Sequence, residues 1–146
     1  MSQTESNIQN LRAWFRQCPA LEPSKQLRVD YLSDTPTEYS IYASPSTISY
    51  RENILGHEVP NDVQTQNFIF ASKEVYGSDI KQNMKNIALY DAVIAWVLDM
   101  NYERNFPDWI GGTVKSIVPT LTPYVAQAGA DVAKYQIQLK ITYRRI

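Results

Sequence analysis

The chain is short of the residues from which most catalytic and metal centres are built. Its 146 residues include one cysteine, Cys18, and one histidine, His57. A single cysteine excludes an intramolecular disulfide, argues against cysteine-based structural zinc and suits a reducing compartment. A single histidine excludes multi-histidine metal sites. Any Ser-His-Asp or Cys-His centre would have to use His57, which lies in the loop sequence HEVPN, where no rigid shell is expected to hold a base. Glycine is also sparse, at five residues, and none falls in a GxGxxG or GxxxxGK[ST] pattern. Gly111-Gly112 follows a predicted helix and enters a predicted strand, the reverse of a phosphate loop. The net charge is -1, so no bulk field draws the chain to nucleic acid or to an anionic membrane. The longest apolar run, 87–98, has 12 residues and contains Asp91, too short to span a bilayer. The opening MSQTESNIQN has neither a basic n-region nor an apolar h-region, so a cytoplasmic, non-membrane protein is expected.

What remains is ordinary globular material, 44% apolar and 20% charged, in a length that fits one domain. Ser6 and Gln9 resemble a capping box, and Ile8, Leu11, Trp14, Phe15 and Cys18 recur at helical spacing, which predicts a helix over 7–17 ended by Pro19. Cys18 would then sit at the negative end of the helix dipole, which disfavours a thiolate and points to a structural role. Alternation of Leu27, Val29 and Tyr31 with Arg28 and Asp30 predicts a strand, Ser33 to Pro36 a turn, and 38–43 a second strand completing a hairpin. The stretch 45–66, with Pro45, Gly56 and Pro60, reads as an extended arm with a weak strand near 48–50.

NFIFAS (67–72) has the content of a central strand. Gly77-Ser78 opens the longest predicted helix, with Ser78 as N-cap and an end near Met100. One apolar stripe holds Ile80, Met84, Ile87, Tyr90, Ile94 and Val97, and a second holds Leu89, Val93, Trp96 and Met100. That arc is wider than one sheet requires, so part of it is expected to meet the first helix or another subunit. A strand over 114–121 contains Pro119, which suits an edge or a bulge, and Gly129 marks the next turn. The last strand alternates cleanly, Tyr135, Ile137, Leu139, Ile141 and Tyr143 against Gln136, Gln138, Lys140, Thr142 and Arg144. Its basic residues, with Arg145, read as a solvated or subunit-contacting face. The expected fold is α+β, a mainly antiparallel sheet with two helices packed on one face, in the order α-β-β-(arm)-β-α-β-β. Acidic residues such as Asp62 and Asp99 occur singly, with no paired spacing. No catalytic, cofactor-binding or metal-binding residue is assigned.

Four stretches carry a more specific signal: VDYLSDTPTEYSIY (29–42), FIFASKEVYGSDIKQNMKN (68–86), NFPDWIGG (105–112) and AKYQIQLKITY (133–143). In this order and spacing they resemble the tail terminator, or minor capsid and tail completion, proteins of long-tailed phages and phage-tail-like particles of Gram-positive bacteria. The resemblance covers most of the chain and is weakest across the arm. It implies a lambda-type tail-terminator fold and a ring, expected to be hexameric, that caps the head-proximal end of the tail tube and ends tube polymerisation. The implied partners are further copies of the chain, the tail tube protein, the head–tail connector and, in a contractile particle, the sheath, with DNA as passing cargo. The place implied is the host cytoplasm during assembly and then the tail end of the particle.

On this reading the assembly contacts are expected at Tyr50, Ile54, Leu55, His57 and Val59 in the arm, Leu89, Val93 and Trp96 on the long helix, and Lys140, Arg144 and Arg145 on the last strand. The arm is expected to become ordered on meeting its neighbour. A head-completion or adaptor protein on the portal side is the nearest alternative. A small acyltransferase is the enzymatic one, and it needs a histidine in an HxxxD-like setting; the fourth residue after His57 is Asn61, so that pattern fails.

Overall fold

The computed structural model describes residues 7–21, 25, 27–29, 32, 38–77, 79–128 and 132–145. Ser6, Tyr31, the turn from Ser33 to Pro36, Ser78 and Gly129 lie outside them. The elements run α1 (Asn7–Phe15), β1 (Leu27–Val29), β2 (Glu38–Ser44), β3 (Tyr50–Glu52), β4 (Glu58–Pro60), β5 (Val63–Val75), α2 (Ile80–Glu103), β6 (Gly112–Ala128) and β7 (Val132–Arg145). The architecture is α+β. Five strands form one mostly antiparallel sheet in the order β1-β2-β5-β7-β6, and β3 and β4 form a separate pair.

α1 buries Leu11, Trp14 and Phe15, the expected stripe. It stops two residues sooner than 17 because the chain tightens ahead of Pro19. There Gln17 N donates to Trp14 O at 3.1 Å and Cys18 N to Phe15 O at 3.0 Å, both bonds of the narrower helix type. The expected hairpin of the first two strands is overturned: β1 pairs with β2 in parallel, Leu27 opposite Tyr39 and Val29 opposite Ile41. Alternation records which face a strand buries and carries no information about its direction, so the sequence pattern fits either pairing.

β5 is longer than 67–72. Its core-facing positions continue through Gln64 and Glu74, both buried, and these polar ends concealed the alternation. β7 sits between β5 and β6 and alternates buried and half-buried residues from Val132 to Tyr143. β6 is an edge strand whose register against β7 shifts at four places, two of them adjoining Leu121, and Pro119 lies at one. An edge with bulges is where a strand tolerates proline. The glycine pair before it has a steric purpose: a Cβ on Gly112 would lie 2.5 Å from Arg144 O, so only glycine lets β6 start this close to β7.

α2 begins one residue later than expected. Asp79 is its N-cap, with Oδ1 accepting from Lys81 N at 3.0 Å and Gln82 N at 3.4 Å. It ends at Arg104, which takes a left-handed conformation (φ 59°) while Asn105 N closes on Met100 O at 2.9 Å. Three ring contacts join the helices to each other and to the sheet. Phe15 stacks on Phe70 with centroids 5.1 Å apart, Trp14 meets Trp96 at 4.5 Å, and Tyr90 stacks on Tyr135 at 6.0 Å. The Tyr90 hydroxyl donates to Tyr135 O at 2.9 Å and lies 2.6 Å from the Ser72 hydroxyl, while Asn86 Nδ2 donates to Val75 O at 2.8 Å. These buried polar bonds fix the level of α2 along β5 and β7, which apolar packing alone specifies loosely. No described helix is long and apolar enough to cross a membrane.

Candidate assembly surface

The arm is a β-hairpin that stands off the end of the sheet. Tyr50, Arg51 and Glu52 pair with Pro60, Val59 and Glu58. Its turn is built by Asn53, whose Oδ1 accepts from Leu55 N at 2.9 Å and His57 N at 3.0 Å, and whose carbonyl accepts from Gly56 N at 3.0 Å. Gly56 has φ 81°, the left-handed residue that a three-residue loop with a bulge requires. Its ladder and turn are both formed by residues of one chain. NILGH between short strands was the available signal, a glycine-containing loop of hairpin length.

At its base the hairpin is clamped to the sheet. Gln64, on the buried face of β5, accepts from Ser49 N at 2.9 Å through Oε1 and donates through Nε2 to Ser49 O at 2.7 Å and Asn61 O at 3.0 Å. The side-chain amide thus does for Ser49 what a neighbouring strand would do. Arg145 adds a second hold, with its N donating to Asp62 O at 2.7 Å and Nη1 to Pro60 O at 3.3 Å. Sequence reading missed Gln64, since nothing in one dimension marks a buried glutamine as a clamp.

The tip carries the greatest exposed apolar surface in this part of the molecule. Ile54 is fully exposed at 102% and Leu55 at 74%, with Tyr50 half exposed beneath them. His57 is exposed in the turn and Val59 is half-buried. Of the arm residues assigned to assembly, four are therefore open to a neighbour, and Arg145 has its guanidinium turned to the hairpin. Lys140 is half-buried between Asn67 and Val118 in the sheet, and Arg144 is exposed.

The α2 assignment is corrected. Val93 is completely buried, and Trp96 packs on Trp14 and Phe15; Leu89 is partly buried against the same core. Val93 belongs to the subunit interior, and Leu89 and Trp96 are half-buried at its margin. The exposed apolar face is the N-terminal part of the other stripe, whose Tyr90 and Val97 are buried: Ile80 (74%), Met84 (65%) and Ile87 (42%) lie open and, with Ala88, line a shallow hollow of about 510 Å³ edged by Asp91. Both stripes have helical spacing, and the folded packing covers members of each, Tyr90 against the sheet and Trp96 against α1, while the first turns stay open. Among the described residues no group of three or more His, Cys, Asp or Glu is placed to hold a metal ion. Burial raises the Cys18 thiol above its ordinary range, partly offset by backbone N–H groups of Ala20 and Leu21, so the thiolate is disfavoured.

No protein-family model matches this sequence, and no curated protein does. The chain carries two separated apolar patches, one on the hairpin tip and one on a helix face, and both suit contact with another protein.

Proposed function

We propose that this chain is a structural subunit of a ring that caps the head-proximal end of a phage or phage-like tail tube, ending tube polymerisation and joining the tail to the connector or sheath. The observation that carries the reading is the hairpin. It projects an aliphatic tip, Ile54 and Leu55, into solvent and is held there by Gln64 and Arg145. A monomer gains nothing by holding such a tip in water, whereas a subunit that must reach a neighbour gains a prepaid contact. The four-stretch resemblance to tail terminators supplies the particular assembly, with copies of the chain and the tube protein as partners. The α+β sheet with two helices is compatible with the lambda-type terminator arrangement.

The test shortens the hairpin without cutting into β4 or β5. Residues 53–57 are replaced by Asn-Gly, a two-residue turn that rejoins Glu52 and Glu58. Tails assembled with this variant should be overlong and uncapped by electron microscopy, while the thermal unfolding midpoint of the purified subunit stays within about 2 °C of wild type. Tails of normal length, or wild-type protein found on heads and missing from head-free tails, would overturn the capping role.

A further inference from the structure

The hairpin tip and the open hollow on α2 lie at opposite ends of the molecule. The hairpin leaves the N-terminal end of β5, and the 13 residues of that strand span about 40 Å to Val75. The first turns of α2 sit at the Val75 end, since Asn86 Nδ2 reaches Val75 O and Asn83 Nδ2 reaches Gly77 O, both at 2.8 Å. A chain cannot bring its own tip to its own hollow without dismantling β5. Any occupant that is this chain must be a second copy.

The two patches match in chemistry. The tip offers two adjacent aliphatic side chains, and the hollow offers Ile80, Met84, Ile87 and Ala88, with a methionine able to adapt its shape to a guest. Charge matches as well. Glu52 and Glu58 are direct cross-strand partners in the hairpin, a like-charge pair that destabilises it until cations approach. Lys81 and Lys85, exposed one turn apart on α2, lie beside the Ala88 edge of the hollow, whose own lining carries one charge, Asp91.

We infer that the hairpin tip of each copy seats on the α2 hollow of the next, with Glu52 and Glu58 facing Lys81 and Lys85. The contact is heterologous: every copy uses one patch of each kind and leaves one of each free, so addition continues until a ring closes. It supplies a joint for the proposed ring and rests on that reading for its purpose. Two aliphatic side chains on two helical turns bury much less than the roughly 1,200 Å² of a stable pair, so one joint is weak and closure stabilises the set.

Cysteine cross-linking of the full chain tests the joint. L55C protein is mixed with A88C protein under mild oxidation, with K115C on the exposed edge of β6 as the control partner. The L55C–A88C dimer should form at least about tenfold faster than L55C–K115C, the margin expected for one well-buried aliphatic contact. The double variant L55C/A88C should give a head-to-tail ladder. Reversing Lys81 and Lys85 to glutamate should slow cross-linking, and adding E52K and E58K to the partner should restore it. Equal rates with A88C and K115C, or indifference to charge reversal, would overturn the joint. Tail length is read separately: efficient cross-linking together with normal tails from the shortened hairpin would sink the capping role and leave the joint standing.

Discussion

The side-chain amide of Gln64 satisfies both backbone polar groups of Ser49, accepting from its N–H at 2.9 Å and donating to its carbonyl at 2.7 Å. Gln64 is 4% exposed whereas Ser49 is exposed, so this bond pair sits at the boundary between core and solvent where the hairpin joins the sheet. The body of the fold thereby sets the direction of the arm.

Gln64→Leu should therefore loosen the hairpin selectively. Apolar volume is kept, but the Ser49 N–H loses its partner and the Ser49 carbonyl keeps only the bond from Asn61 N at 2.9 Å. Amide exchange at Ser49 and Asn61 should rise about tenfold or more, with β7 amides unchanged. Uniform exchange across the chain would show that Gln64 supports the core and not the arm.

Tyr90→Phe should cost about 1 to 3 kcal/mol in urea unfolding, because the Ser72 hydroxyl and the Tyr135 carbonyl are left buried with one bond fewer. A loss below about 0.5 kcal/mol would mean that water replaces the phenol.

The same residue sets an alkaline limit. Burial raises the Tyr90 phenol well above its ordinary value, with the Ser72 hydrogen bond opposing and the charge of Glu74 adding to the rise. Below about pH 10 folded and unfolded chains both hold the proton, and the contribution to stability is complete. As pH climbs past that value the unfolded chain loses its proton first, so stability falls toward the folded-state value. Y90F should show a shallower alkaline decline than wild type; parallel curves would assign the decline to other tyrosines.

Gly112→Ala should destabilise by about 1 to 3 kcal/mol, since the new Cβ meets a backbone oxygen that cannot move aside without parting β6 from β7. Gly56→Ala, in open space but at φ 81°, should cost about 1 kcal/mol and act on the hairpin alone. A Gly112→Ala unfolding midpoint that coincides with wild type, or hairpin amides of Gly56→Ala that exchange no faster than wild type, would refute the steric account.

Cys18 should resist thiol reagents in the folded state. It is 3% exposed, and its raised ionisation leaves less thiolate than a free cysteine has at any pH below the folded value. Labelling should track global unfolding in denaturant. Rapid labelling without denaturant would show that the end of α1 opens locally.

Much of the framework was legible because burial repeats at a fixed period. The Leu11, Trp14 and Phe15 stripe, the two-residue alternation of β7 and the edge position implied by Pro119 each follow from one local rule and its steric cause. The scarcity of histidine and cysteine likewise follows from counting. Three things were decided only in the folded molecule. β1 runs parallel to β2, since alternation is blind to strand direction. The first turns of α2 leave Ile80, Met84 and Ile87 open while Tyr90, Val93 and Val97 are buried, since helical spacing marks an apolar stripe but not how far along the helix its covering by the sheet and α1 extends. The arm is a braced hairpin, since its brace comes from Gln64 and Arg145, distant along the chain from the residues they hold or polar enough to pass for surface. Local periodicity sets which residues are buried; contacts between distant segments set which surfaces remain.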